Sequence, residues 1–416
     1  MPNSLSHDGA SYALAGQKQT LNCIGAKPWR LDKLAQLEVD FFSGQGMLPL
    51  DHVLIAAPHL LQKIPKIVQE RSQTVKVLID SGGYQIISGK LNYCAEIRSR
   101  LFNVCRQFSH ALILDAPTSA IGAVGSRFYS FNQCLDFTIM NAQFAVANAG
   151  GSSTRFLNVI QGRNADEAHR WLTAVMPFND KALWGSTALS GIAFAGATRL
   201  HFSIVLPLIF RLLDRGLIQA GDRLHFLGTS HPEIACILTV LQDCLRQQLG
   251  NDLTVTFDSA TPFLLAGRYG RAYDSPSLTR DELRVPVSSM PFDDRFVGSC
   301  APWPVTSPIA DRLTLGDLNV KKGRVPWDTV SSVALSMHNA WVMHHAIALS
   351  VNRLRLHDGW SRCWLPDRIV AMAQLIRDAF AHHSPYDFVE VHARELDQLS
   401  HKSRNTSLLE VFLESR

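Results

Sequence analysis

The sequence predicts an α/β chain folded as a (β/α)8 TIM barrel with a loop-rich insertion and a C-terminal helical extension. Three observations predict it. Short runs rich in Val, Ile, Leu and Phe recur at 53–55, 75–79, 111–114, 156–160, 191–194, 224–227 and 253–257. Helical patterns lie between them at 94–108, 131–149, 165–175, 200–215 and 232–249; strand alternating with helix implies a parallel sheet. Seven or eight such units over about 250 residues fit a closed barrel better than an open doubly wound sheet. No G-x-G-x-x-G follows the first strand, which argues against a dinucleotide fold.

The rhythm sets the boundaries. Residues 1–50 read as an N-terminal segment outside the barrel, 50–350 as the barrel, and 351–416 as the helical extension. Within the barrel, 264–330 is dense in Pro, Gly, Ser and Asp and reads as an insertion. The helical pattern from 330 onward is a candidate to close the barrel. With 416 residues, 46% hydrophobic and 18% charged, the chain has ample material for a large core. A net charge of +4 is compatible with a polyanion partner but does not imply one. The first twenty residues lack the apolar core of a signal peptide, and no run of about twenty apolar residues suggests a membrane span. The cysteines are scattered without a CxxC pair, which fits reduced thiols in a cytoplasmic protein.

The chemistry gathers at the strand ends. There the sequence places Asp80, Asp115, Gln161-Gly162, Ala195-Gly196, Leu227-Gly228 and Asp258. In a barrel the C-terminal strand ends converge on one face, whatever their separation in sequence. Any one of these aspartates also reads as a helix cap, and Asp80 beside Gly82-Gly83 reads equally as a cap with a tight turn. No cluster of His and carboxylates suggests a catalytic metal, and no phosphate loop is evident. Two carboxylates facing a pocket suit substitution at an anomeric carbon, one attacking and the other handling protons. A carboxylate, a carboxamide and backbone amides suit the edge of a purine, and Tyr84 offers a ring to stack on.

Asp80-Ser81-Gly82-Gly83-Tyr84-Gln85 is similar to the DSGG[FY]Q signature of the tRNA-guanine transglycosylase superfamily. Further segments follow in that family's order. Leu114-Asp115-Ala116-Pro117 resembles its purine-binding strand end, Val159-Ile160-Gln161-Gly162 its VQG motif, and Gly191 to Gly196 its GYAIGG segment. His225-Phe226-Leu227-Gly228 through Pro232 resembles LMGVG-x-P, Phe257-Asp258 through Pro262 resembles FDCVMPT, and Leu335 through Asn339 resembles a late IHN segment. The resemblance implies a retaining base exchange. Asp258 would attack C1′ of a guanosine and form a glycosyl ester, and Asp80 would take the ring proton of an incoming 7-deazaguanine. Asp115, Gln161 and Gly196 would hold the base, with Ser81, Gly83, Gln85, Gly162 and Gly228 beside them. Tyr84 and Leu227 would sandwich it.

Two departures bear on the substrate. The tRNA-acting members carry C-x-C-x-x-C before the IHN histidine as a structural zinc site. Here His338 has only Cys300 in its region, with Cys363 later, so that zinc is expected to be absent and no cofactor is implied. After Pro262 the family's Thr-Arg and further basic residues are replaced by Phe263-Leu264-Leu265-Ala266-Gly267. Both changes resemble the DNA-acting DpdA-type branch. That implies DNA as the polymer, with tRNA as the alternative, and a base such as 7-cyano-7-deazaguanine (preQ0). A non-catalytic nucleic-acid-binding homologue is the other class, against which retention of both Asp80 and Asp258 argues. A helicase-like ATPase partner is compatible with the DNA reading. Arg268, Arg271, Arg280, Lys321, Lys322 and Arg324 are candidate polymer contacts, or simply solvated surface.

Overall fold

The computed structural model describes residues 9–24, 29–48, 50–87, 91–322, 326–357 and 365–398; the side chains of Tyr84, Ile87 and His357 also fall outside the description. Eight parallel strands run in chain order around a closed barrel. They are β1 (Ser11–Gly16), β2 (His52–Ala56), β3 (Lys76–Asp80), β4 (His110–Leu112), β5 (Arg155–Ile160), β6 (Ile192–Phe194), β7 (Arg223–Phe226) and β8 (Thr254–Ser259). The fold is a (β/α)8 barrel with flanking C-terminal helices.

Seven strands fall where the sequence puts them, but the eighth does not. β1 lies in the stretch 1–50 assigned outside the barrel, and it is β1, not the C-terminal region, that closes the cylinder. It pairs with β2 through Leu14 and Val53 and with β8 through Ala13 and Asp258. Ser-Tyr-Ala-Leu-Ala-Gly has no β-branched residue and only Tyr12 as a strand former, so strand propensity gives a weak signal. Two neighbouring edges and nearly complete burial of Tyr12, Ala13, Leu14 and Ala15 hold it extended instead.

Helices Ala95–Cys105, Phe131–Asn148, Ala165–Val175, Phe202–Asp214 and Pro232–Leu249 alternate with the strands. Their starts follow local chemistry. The Ser130 hydroxyl accepts from the Gln133 amide, and the Asn164 side chain accepts from the Glu167 amide. Pro232 occupies the first helical position, where its missing N–H is no loss. Strands buried on both faces read as continuous apolar runs, as β2 does. Phe226 stacks on Phe194 at 5.0 Å and on Phe202 at 6.5 Å between ring centroids, locking two strands to a helix.

The insertion holds more order than its composition suggests. Helix Thr261–Tyr269 leads into two small antiparallel pairs, Arg271–Tyr273 with Val287–Ser289 and Ser277–Leu278 with Leu283–Arg284. The long helix Thr329–His357 packs on Thr261–Tyr269 and on Pro232–Leu249. Asn339 stitches it in place: its amide nitrogen donates to the carbonyls of Pro262 and Arg271, each at 3.1 Å, and its oxygen accepts from the Tyr273 amide at 2.7 Å. At the C-terminal end, Asp397 accepts from the Ser203 amide at 3.0 Å and caps helix Phe202–Asp214 from outside. No described helix is long and apolar enough to cross a membrane.

Candidate active site

The first wall of the site is the segment after β3. Gly82 has φ of +88°, and a Cβ there would lie 2.3 Å from the Pro58 ring, so only glycine fits. Gly83 opens the short helix Gly83–Ile87, and a Cβ on it would lie 2.4 Å from the Asp115 carbonyl oxygen. The two loops therefore touch backbone to backbone. This close approach brings Asp80 and Asp115 to one place. The side chain of Tyr84 is outside the described residues. Ser81 is buried, and it lines a small cavity behind the barrel wall with Arg98, Phe102 and Asn141. Gln85 brings its Oε1 up against the Gly82 turn.

Asp115 and Gln161 form the next element. Gln161 Nε2 donates to Asp115 Oδ2 at 2.8 Å, and both side chains are buried. That bond fixes the orientation of the carboxamide. Gln161 Oε1 is buried with no hydrogen bond. Gly196, with φ of +73°, lies directly over it, and a Cβ there would come within 2.7 Å of that oxygen. Gly162 is equally tight, since a Cβ would lie 2.7 Å from the Ala168 amide. The glycines read from the sequence are thus places where backbone replaces side chain.

Asp258 faces the same mouth from β8. Its Oδ1 accepts from the Gly228 amide at 3.1 Å and sits 3.2 Å from His225 Nε2. His225 is fully buried, with Nδ1 at 2.8 Å from the Thr256 hydroxyl. The Thr256 hydroxyl also lies 3.4 Å from the Leu224 carbonyl, so the ring roles follow the tautomer: with its proton on Nε2, His225 donates to the carboxylate. Both anchors fall on Oδ1; Oδ2 takes no hydrogen bond from a described residue. Leu227, half-buried at the end of β7, follows His225 on the inward-facing alternation of the strand.

The electrostatics separate the carboxylates. Burial, then the charges of Asp115 and Asp258, push Asp80 up to about 7, against the pull of hydrogen bonds from the Gly82 and Ser81 amides. Burial raises Asp115 to about 6, opposed by the Gln161 hydrogen bond. Asp80 therefore feels both other carboxylates. Acid and base duties can be divided among groups whose environments differ in this way.

Three contributors escape a reading by motif. His225 lies inside a recognised segment yet carries no assigned role; its inward position two residues before Leu227 is the available signal. Arg199 has none: its Nη1 donates to the Gly196 carbonyl at 2.7 Å and its Nη2 to the Gly228 carbonyl at 3.1 Å, clamping two site loops together. Tyr12 is invisible because β1 is. Its hydroxyl donates to the Ser259 carbonyl at 3.3 Å, and burial, with Tyr273 and Asp258 nearby, raises its pKa well above the usual value.

The residues do not fit the structural zinc of the tRNA enzymes. His338 has both ring nitrogens engaged, Nδ1 at 2.8 Å from the Ser307 hydroxyl and Nε2 at 2.9 Å from the Tyr273 carbonyl. Cys300 is exposed, and Cys363 lies outside the described residues. Among the described residues no three His, Cys, Asp or Glu side chains are grouped to hold a metal ion. Of the candidate polymer contacts, Lys321 and Lys322 are exposed, Arg280 lies 3.6 Å from Asp367, and Arg324 is outside the described residues. Compared with known proteins, the chain matches no family model and no curated protein.

Proposed function

We propose that this protein is a DNA-guanine transglycosylase that exchanges guanine for a 7-deazaguanine base by retaining double displacement. The observation that carries the reading is the asymmetric anchoring of Asp258. Gly228 donates to Oδ1 and His225 Nε2 lies 3.2 Å from it, Oδ2 takes no hydrogen bond from a described residue, and Asp80 feels the charges of both Asp258 and Asp115. A carboxylate fixed by one oxygen and open at the other is arranged as a nucleophile.

In this reading Oδ2 of Asp258 attacks C1′, the C1′–N9 bond breaks, and guanine leaves with the bonding pair and a proton supplied by Asp80. The incoming base loses its ring N–H proton to Asp80, attacks C1′, and expels the Asp258 carboxylate. Two inversions retain the configuration, as in a retaining glycosidase. A group near neutral pKa is suited to both proton steps, and Asp80 at about 7 meets that need. Asp115 and the Gln161 Oε1 offer acceptors to base N–H groups. The target nucleotide has to be turned out of its stack to reach them.

DNA rather than tRNA rests on the segment after Pro262. Phe263, Leu265 and Ala266 there are buried in helix Thr261–Tyr269, which leaves no basic run beside the nucleophile. A 7-cyano-7-deazaguanine base and a helicase-like partner belong to the same reading. The test is incorporation of a labelled 7-deazaguanine by the full chain into duplex or nicked DNA and into tRNA. Label in DNA that disappears with Asp258→Asn supports the reading. Label only in tRNA replaces the polymer, and undiminished label with Asp258→Asn removes the nucleophile.

A further inference from the structure

The opposite end of the barrel has its own chemistry. Five strands begin on a basic residue: His52 on β2, Lys76 on β3, His110 on β4, Arg155 on β5 and Arg223 on β7. Register sets them side by side, His52 with Lys76 and His110 with Arg155. Strand alternation turns them inward. Arg223 precedes the inward His225 by two residues, and Lys76 precedes Asp80 by four.

Two of the five are buried, Arg223 at 3% exposure and His52 at 6%. Arg223 Nε and both ring nitrogens of His52 are buried without a hydrogen bond. No described carboxylate pairs with either residue. The neighbours whose charges they feel are all basic: Arg155 for Arg223, and Arg223, Lys76, His110 and His225 for His52. Asp222, the acid nearest in sequence, accepts from the Gln219 amide at 2.9 Å and lies near Arg155 and Lys181. Arg155 itself donates to the Gly221 carbonyl, and His110 Nδ1 lies 3.1 Å from the Ser109 hydroxyl.

A guanidinium buried without a counter-ion, beside a histidine with two unused nitrogens, is unfavourable unless an anion completes it. The planar guanidinium fork matches phosphate oxygens in pairs, and lysine adds a point charge at the rim. We propose that the N-terminal mouth of the barrel binds a small phosphate-bearing anion, with Arg223 and His52 as inner contacts and Lys76, His110 and Arg155 around them. The depth of the inner pair favours a compact anion over a polymer backbone. This site lies away from the strand-end carboxylates and does not depend on the base-exchange reading.

Thermal unfolding of the full chain with inorganic phosphate, against sodium chloride at matched ionic strength, tests it. The melting temperature is expected to keep rising with phosphate beyond the chloride control, as for any ligand of the native state. Arg223→Met is expected to abolish that rise. Lys76→Ala, at the exposed rim, is expected to weaken apparent phosphate affinity about tenfold, and it decides the matter if Arg223→Met does not fold. Phosphate acting no better than chloride overturns the site, as does a full phosphate response in folded Arg223→Met or, failing that variant, in Lys76→Ala. A single-stranded oligonucleotide matching phosphate in the wild type but not in Lys76→Ala overturns the assignment to a compact anion.

Discussion

Nε2 of the fully buried His225 lies 3.2 Å from Oδ1 of Asp258, on the same oxygen that accepts the Gly228 amide. In the proposed mechanism this contact leaves Oδ2 as the attacking oxygen of Asp258. Replacing His225 by Leu stays close to its volume and removes the donor. The expected result is a fall of about a hundredfold in the rate of covalent adduct formation, the scale of one donor lost at a reacting oxygen. Single-turnover kinetics with a retained thermal transition checks it; an unchanged rate removes the positioning role.

Asp80 gives the pH dependence. Its pKa near 7 is raised first by burial and then by Asp115 and Asp258, so if Asp80 handles protons in the proposed base exchange, the rate should inflect close to neutrality. The same shifts act on stability. Asp80 at about 7 and Asp115 at about 6 in the folded chain compare with about 4 when unfolded. The folded state holds the extra protons in between, so their contribution is full below about pH 4 and is lost as pH rises through 6 to 7. Asp80→Asn should therefore gain stability relative to the wild type on going from pH 5 to pH 8. Melting curves at the two pH values measure that difference, and a constant offset contradicts it.

Gly83 tests the loop contact. A methyl there would lie 2.4 Å from the Asp115 carbonyl, so Gly83→Ala has to push the Asp80 and Asp115 loops apart. A loss of about 1–3 kcal/mol is expected, together with lower activity. Gly267, inside helix Thr261–Tyr269 with open space around its Cβ position, is the control; Gly267→Ala should stabilise by about 0.5–1 kcal/mol. Chemical denaturation of both variants reads the contrast.

Arg368 ties the C-terminal helix Asp367–Ala381 to the barrel. Its guanidinium pairs with the buried Glu233 of helix Pro232–Leu249 and donates to the Asp281 carbonyl. Arg368→Ala would leave that carboxylate buried and unpaired, so a destabilisation of about 3 kcal/mol is expected. Denaturant melts would show it, and a loss below 1 kcal/mol would mean the carboxylate finds water.

These residues also show what a sequence can reveal. Asp80, Asp115, Gln161 and Asp258 were legible because a parallel strand reads as an apolar run, and the residue that ends it is easily picked out. The glycines were legible as a pattern, but not for their reason, which is the 2–3 Å approach of Pro58, Asp115, Ala168 and Gln161 to where their side chains would be. β1 was hidden because alanine and glycine carry no strand signal; its neighbours make it a strand. Arg199 was hidden because it acts on two carbonyls from loops separate in sequence. The basic ring at the barrel's other mouth could be seen only after five strand starts were placed side by side.

The central claim is that Asp258 forms a covalent bond with the sugar during base exchange. Intact-mass analysis of the full chain with a guanine-containing DNA oligonucleotide, without free base, tests it most directly. An adduct with the oligonucleotide minus guanine is expected, lost in Asp258→Asn and discharged by a 7-deazaguanine that enters the DNA. Exchange without an adduct that depends on Asp258, or an adduct that persists in Asp258→Asn, would contradict it.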